Sequence, residues 1–169
     1  MKILISRPAE ICLVKQHLPY LNIDSWEART VLQKTFYFLQ EMGVEFRYQF
    51  RWNLRGPFSQ GLREEAEEAF SSFSVYEEEA KEYEFSDRVV NLFGTYQKIM
   101  SERIEDVEEL SLLSCLHFLK TTQPNKDWAG IKELLFKDKP IYKNSPAVDE
   151  AIKELEERIL SVTGKNKRG

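Results

Sequence analysis

A chain of 169 residues that is 42% apolar and 31% charged has enough material for one domain with a sizeable core. Its net charge of −4 is unevenly spread: residues 1–63 carry nine Lys/Arg against five Asp/Glu, residues 64–110 four against fifteen, and residues 111–169 eleven against eight. This excludes a uniformly basic nucleic-acid binder and leaves room for a local basic face.

Residues 1–6 are compatible with a brief strand or an irregular start. The start lacks the long apolar stretch of a secretory signal, and no apolar run approaches the ~20 residues of a membrane span. With two isolated cysteines, Cys12 and Cys115, outside any CxxC pair, this predicts a cytoplasmic protein with reduced thiols.

Ile11, Val14 and Leu18 predict a helix that Pro19 stops. Asp24 and Glu27 have capping-box spacing ahead of the strongest helix in the chain. There Ala28, Val31, Leu32, Phe36, Phe38, Leu39 and Met42 cover one broad face, Thr30, Gln33, Lys34, Gln40 and Glu41 the other, and Gly43 sits at the C′ position. Tyr37 falls inside the polar stripe, which predicts either a ring contact with its hydroxyl in water or a tyrosine facing a partner.

From Phe46 to Asn53 the alternation is complete. Phe46, Tyr48, Phe50 and Trp52 share one parity; Arg47, Gln49, Arg51 and Asn53 share the other. A strand sends successive side chains to opposite faces, so the pattern predicts a half-buried strand with an aromatic inner face and a basic outer one. Gly56-Pro57 is a strong stop. Phe58, Leu62, Ala66 and Phe70 predict a further helix with Glu64 to Glu68 in solvent, and Glu77 to Glu79 read as a surface loop. The alternation of Lys81 to Phe85 nominates that stretch as the antiparallel partner strand. Helices are then expected from about Ser86 to Arg103, after an Asp106/Glu109 capping box, after Pro124-Asn125, and after Ser145-Pro146 as far as Val162. The expectation is one mainly α-helical domain over 1–163 with a small antiparallel β element, and a flexible basic tail over 164–169.

Catalytic signatures are absent. There is no phosphate-binding glycine loop, no HExxH and no GxSxG. The only histidines, His17 and His117, and the two cysteines are too scattered for a zinc site of common type, so neither metal nor cofactor is expected. His117 shares a face with Leu110 and Leu113 and reads as a core histidine. Arg47 and Arg51 lie four apart on the strand, about 13 Å at ~3.3 Å per residue. Gln49 stands between them, and Asn53 and Arg55 extend the row. Such a row fits an acidic protein surface or adjacent phosphates; it also fits a merely solvated face, or one paired with Glu64 to Glu68.

The run Leu32-Gln-Lys-Thr-Phe-Tyr-Phe-Leu-Gln-Glu-Met-Gly43, then an aromatic strand, then Gly56-Pro57-Phe58-Ser59 and Leu62 resembles the Panacea domain and its YwgA-like relatives. The resemblance covers about residues 29–70 and carries no catalytic residue. Lys34, Tyr37, Gly56 and Pro57 match the family pattern; Phe58 stands where tyrosine is common, and Arg55 departs from a frequent aromatic. It implies a mostly helical binding module, in some members the antitoxin of a toxin–antitoxin pair. The expected function is therefore non-enzymatic protein binding through Arg47, Gln49, Arg51 and Arg55, with Lys34 and Tyr37 added from the helix and Gly56-Pro57 as the structural turn. The alternative is a nucleic-acid-binding regulator with a winged-helix-like β element.

Overall fold

The computed structural model describes residues 4–164. Among these are eight α-helices and one two-stranded antiparallel hairpin: α1 Arg7–His17, α2 Trp26–Met42, β1 Arg51–Asn53, β2 Gly56–Phe58, α3 Gln60–Ser71, α4 Phe73–Ala80, α5 Asp87–Met100, α6 Val107–Thr122, α7 Trp128–Asp138 and α8 Pro146–Glu154. No helix among them is long and apolar enough to cross a membrane.

The centre is the pair α2 and α6. Helices α3 and α4 pack on α1, α5 packs on α2, α7 and α8 pack on α6, and β2 lies against both central helices. The sequence explains α6 directly: leucines and small residues on every side leave Leu110 to His117 buried throughout. Helix α2 begins at Ser25, whose Oγ accepts from the Ala28 amide at 3.0 Å. The capping box expected at Asp24 and Glu27 does not form, because the Asp24 amide is already held by the Asn22 side chain at 2.9 Å. At the other end Gly43 takes φ 119°, and the Val44 amide returns to the Leu39 carbonyl at 3.0 Å.

Five expectations need correction. Lys81 to Phe85 forms no strand; the partner of Arg51–Asn53 is its immediate neighbour Gly56–Phe58, in the register Arg51 to Phe58, Trp52 to Pro57 and Asn53 to Gly56. Closing a two-residue loop at Leu54-Arg55 orders far less chain than reaching Lys81. Gly56-Pro57 therefore opens a strand, where a stop was expected. Glu77 to Glu79 belong to α4, whose Tyr76 and Ala80 supply the apolar spacing the acids conceal; the Glu79 carboxylate accepts from the Ser6 amide and hydroxyl at 2.8 and 2.9 Å. The helix expected after Pro124 starts later, at Trp128, capped by Asp127. Helix α8 does not run to Val162; it passes at Leu155 into one π-helical turn, Leu155–Ile159, which keeps both of those residues in the core. Of the tail expected at 164–169, only Gly164 lies within the described residues.

Candidate functional site

Helix α2 gives up its polar stripe to the chain that follows it. Gln33 and Gln40 are seven residues apart and so lie on one helix face. The Gln33 amide donates to the Ser59 carbonyl and accepts from the Ser59 amide, both at 2.9 Å. Gln40 treats Tyr48 in the same way, at 2.8 and 2.9 Å. Between them Lys34 Nζ donates to the Pro57 carbonyl at 2.9 Å. Gln40 thus stands in for a strand neighbour at Tyr48, so residues 46–50 lie outside any ladder with the backbone groups of Tyr48 satisfied, while Gln33 and Lys34 hold Ser59 and Pro57. Replacing Gln40 by alanine is expected to cost about 2 kcal/mol, because two partly buried backbone groups lose their partners together. Denaturant midpoints and faster hydrogen exchange at the Tyr48 amide check this.

The alternation read from the sequence survives without the long strand. Phe46 and Tyr48 are buried and Phe50 and Trp52 half-buried, while Arg47, Gln49, Arg51 and Asn53 are exposed. Phe36 meets Phe46 and Tyr48 with ring centroids at 4.7 and 6.1 Å, and Trp52 stacks on Phe118 at 6.0 Å. The far edge of the hairpin is fixed by α7: Trp52 Nε1 donates to Asp138 at 2.6 Å, and Lys139 Nζ donates to the carbonyls of Asn53 and Leu54. On the near side, Arg7 donates to the Phe46 and Arg47 carbonyls at 2.8 and 3.3 Å. Arg47 itself holds φ 64°, a conformation few non-glycine residues adopt.

The six nominated binding residues separate into three groups. Lys34 and Tyr37 are each only 2% exposed, which withdraws both from any direct contact with a partner. Tyr37 is not wet at its hydroxyl either; the oxygen lies 2.6 Å from Nδ1 of His117, whose Nε2 meets Thr163 Oγ1 at 2.9 Å. His117 is thus a core histidine, joining α2 and α6 to the C-terminal segment. Arg47, Gln49 and Arg51 remain together on one side of the hairpin, where they line a shared depression with Arg7. Arg55 lies on the other side. Its guanidinium sits 4.1 Å from the centroid of the Trp26 ring and, with Arg29 and Arg63, borders a cleft of about 510 Å³ between α2, the hairpin and α3.

Among the described residues, pairing with the acidic start of α3 is confined to Arg63 of the same helix, which meets Glu67 at 3.2 Å. Arg47 reaches Glu45 at 3.9 Å with both side chains four-fifths exposed, a contact worth little in water. Among the described residues Arg29, Arg51 and Arg55 form no ion pair. Trp26, Arg29 and Arg63 were not nominated from the sequence, since only the packed arrangement of three elements brings them to Arg55. The buried face of Gln33 and Gln40 did have a signal, a seven-residue repeat of glutamine in the centre of a core helix.

Among the described residues Lys34 is a strongly perturbed cation. Burial, helped by the positive charges of Lys139 and Arg55 and opposed by Cys115, lowers its ammonium from 10.5 to about 8. Burial also pushes the Cys12 and Cys115 thiols up to about 11, which keeps both protonated and unreactive near neutrality. Among the described residues no three His, Cys, Asp or Glu side chains converge as a metal site.

Compared with protein-family models, curated proteins and solved structures, the chain matches none.

Proposed function

We propose that this chain is a non-enzymatic binding module that captures an acidic segment of a partner protein on the Arg47–Gln49–Arg51 face. The observation that carries this reading is the way that face is held. Its backbone is fixed from below by Gln40 at Tyr48 and by Arg7 at Phe46 and Arg47, with Arg47 kept at positive φ. The guanidinium groups are meanwhile left exposed to solvent. A non-glycine residue in that region carries strain of order 1–3 kcal/mol and persists only where its surroundings over-determine it. A row of cations presented on a fixed backbone loses little entropy when it meets carboxylates. Arginine's planar fork suits bidentate pairing with Asp and Glu.

The resemblance of residues 29–70 to the Panacea domain supports an antitoxin-like version of this reading, in which the partner is a protein to be neutralised. Overall charge weighs against the nucleic-acid alternative, because a molecule of net charge −4 repels a phosphate backbone outside its one basic face. The test is affinity capture from the native host by the wild-type chain and by the Arg47→Ala/Arg51→Ala double variant. A protein retained by the first and depleted at least ten-fold by the second is expected. Recovery of the same proteins by both would overturn the proposal; arginine-dependent recovery of nucleic acid, weakening steeply with salt, would replace it with the alternative.

A further inference from the structure

The geometry points to the cleft between α2, the hairpin and α3 as a second binding site, for a small organic anion with a carboxylate or phosphate head and an apolar body. Its volume of about 510 Å³ falls in the range of small-molecule pockets. It adjoins the protein-docking face at Asn53, Phe58 and Gln60 but contains neither Arg47 nor Arg51.

The walls divide by chemistry. Ile23, Leu32, Phe58 and Ala66 supply an apolar side, and Arg29 and Arg55 approach from the rim. Arg55 is the decisive residue. Its guanidinium lies over the Trp26 ring, a contact that favours this placement, and among the described residues it donates no hydrogen bond, so its N–H groups remain available. Among the described residues Arg29 donates only to the Ile23 carbonyl, at 3.2 Å. Glu67, the one acid in the lining, is paired with Arg63, so the unbalanced charge of the cleft comes from Arg29, Arg55 and the buried Lys34. A stacked cation with unused donors beside an apolar wall matches a ligand anionic at one end and apolar at the other.

A suitable probe is 8-anilinonaphthalene-1-sulfonate, an anion on an aromatic body whose fluorescence rises in a dry site. Its uncharged counterpart N-phenyl-1-naphthylamine serves as the control. Saturable binding of the sulfonate is expected, weakened on the order of ten-fold by Arg55→Ala and again by Arg29→Ala, as for loss of a charge-assisted hydrogen bond. Arg47→Ala/Arg51→Ala should leave it unchanged, and unaltered circular dichroism confirms that each variant is folded. Displacement by phenyl phosphate against phenylacetate then ranks the head groups. Equal binding by all variants, equal binding of the uncharged control, or no saturable binding of any of these anions at millimolar concentration overturns the inference. None of these results bears on the capture experiment, so the two proposals fail separately.

Discussion

Alanine at Gly56 is expected to destabilise the fold by about 3 kcal/mol, the sum of a left-handed backbone penalty of roughly 1–2 kcal/mol and a core overpacking penalty of similar size. Gly56 takes φ 93° where the chain re-enters the ladder after Leu54-Arg55. An added Cβ would also stand 2.7 Å from Cys115 Sγ and 3.5 Å from the Cys115 Cα. Cys115 is fully buried in α6, so the sulfur has no free direction in which to retreat. For a domain of this size the expected loss in Tm is roughly 6–12 °C. The two causes separate in a double-mutant cycle. In a Cys115→Ala background the steric part disappears and the backbone part stays, so Gly56→Ala should cost only about half as much there. A change within about 0.5 kcal/mol in the wild-type background would mean that β2 does not press on α6 as described.

The same contact explains what the sequence made legible. A Gly-Pro pair after an aromatic run announces a change of direction, but the neighbour that forbids a side chain at Gly56 lies in α6, fifty-nine positions further on. Amphipathic periodicity located α1, α2, α3, α5 and α8, because each buries a stripe that local spacing reveals, while the all-round apolar run located α6. The aromatic parity of residues 46–52 also held in burial, although Arg47 at φ 64° interrupts the extended backbone that the alternation predicted. Periodicity failed where polar groups face inward. Gln33, Lys34, Tyr37 and Gln40 make a stripe indistinguishable from a solvated one until the partner is known. That partner is the protein's own backbone at Tyr48, Pro57 and Ser59, together with His117. A backbone leaves no mark in a side-chain pattern. The arginine row failed for a related reason. Arg51 and Arg55 look like successive members of one face only on a straight strand, and the turn at Leu54-Arg55 sends Arg55 to the opposite side of the hairpin. Packing thus removed Lys34 and Tyr37 from the candidate surface, divided the arginines, and created a cleft from residues that no local spacing connects.

The buried lysine should make stability depend on pH in a way that a single substitution removes. Lys34 holds its proton with an affinity lowered to about 8, against 10.5 for an ordinary lysine, chiefly because burial penalises the charged form. Between those values the unfolded chain binds more protons at this position than the folded one, so folding releases them and stability rises with pH. Below about 8 the full penalty is present; above 10.5 it is gone. A displacement of that size corresponds to about 3 kcal/mol across the window. The tyrosines and thiols act in the opposite direction. Burial raises Tyr20, Tyr48, Tyr96, Cys12 and Cys115, so each withdraws stability as pH climbs past its unfolded value. The informative quantity is therefore the difference between the wild type and Lys34→Met, which keeps the length of the side chain and removes its titration. That difference should move by about 3 kcal/mol between pH 7 and pH 10.5 in favour of the wild type. At pH 7 the two effects of the substitution oppose each other: relief from a buried charge against a Pro57 carbonyl left without its donor, itself worth about 1–3 kcal/mol. At pH 10.5 only the lost hydrogen bond remains, and the variant should be clearly the weaker protein. Parallel stability curves for the two proteins over this range would show that Lys34 titrates as an exposed lysine does, and with it would fall the closed packing of α2 against β2.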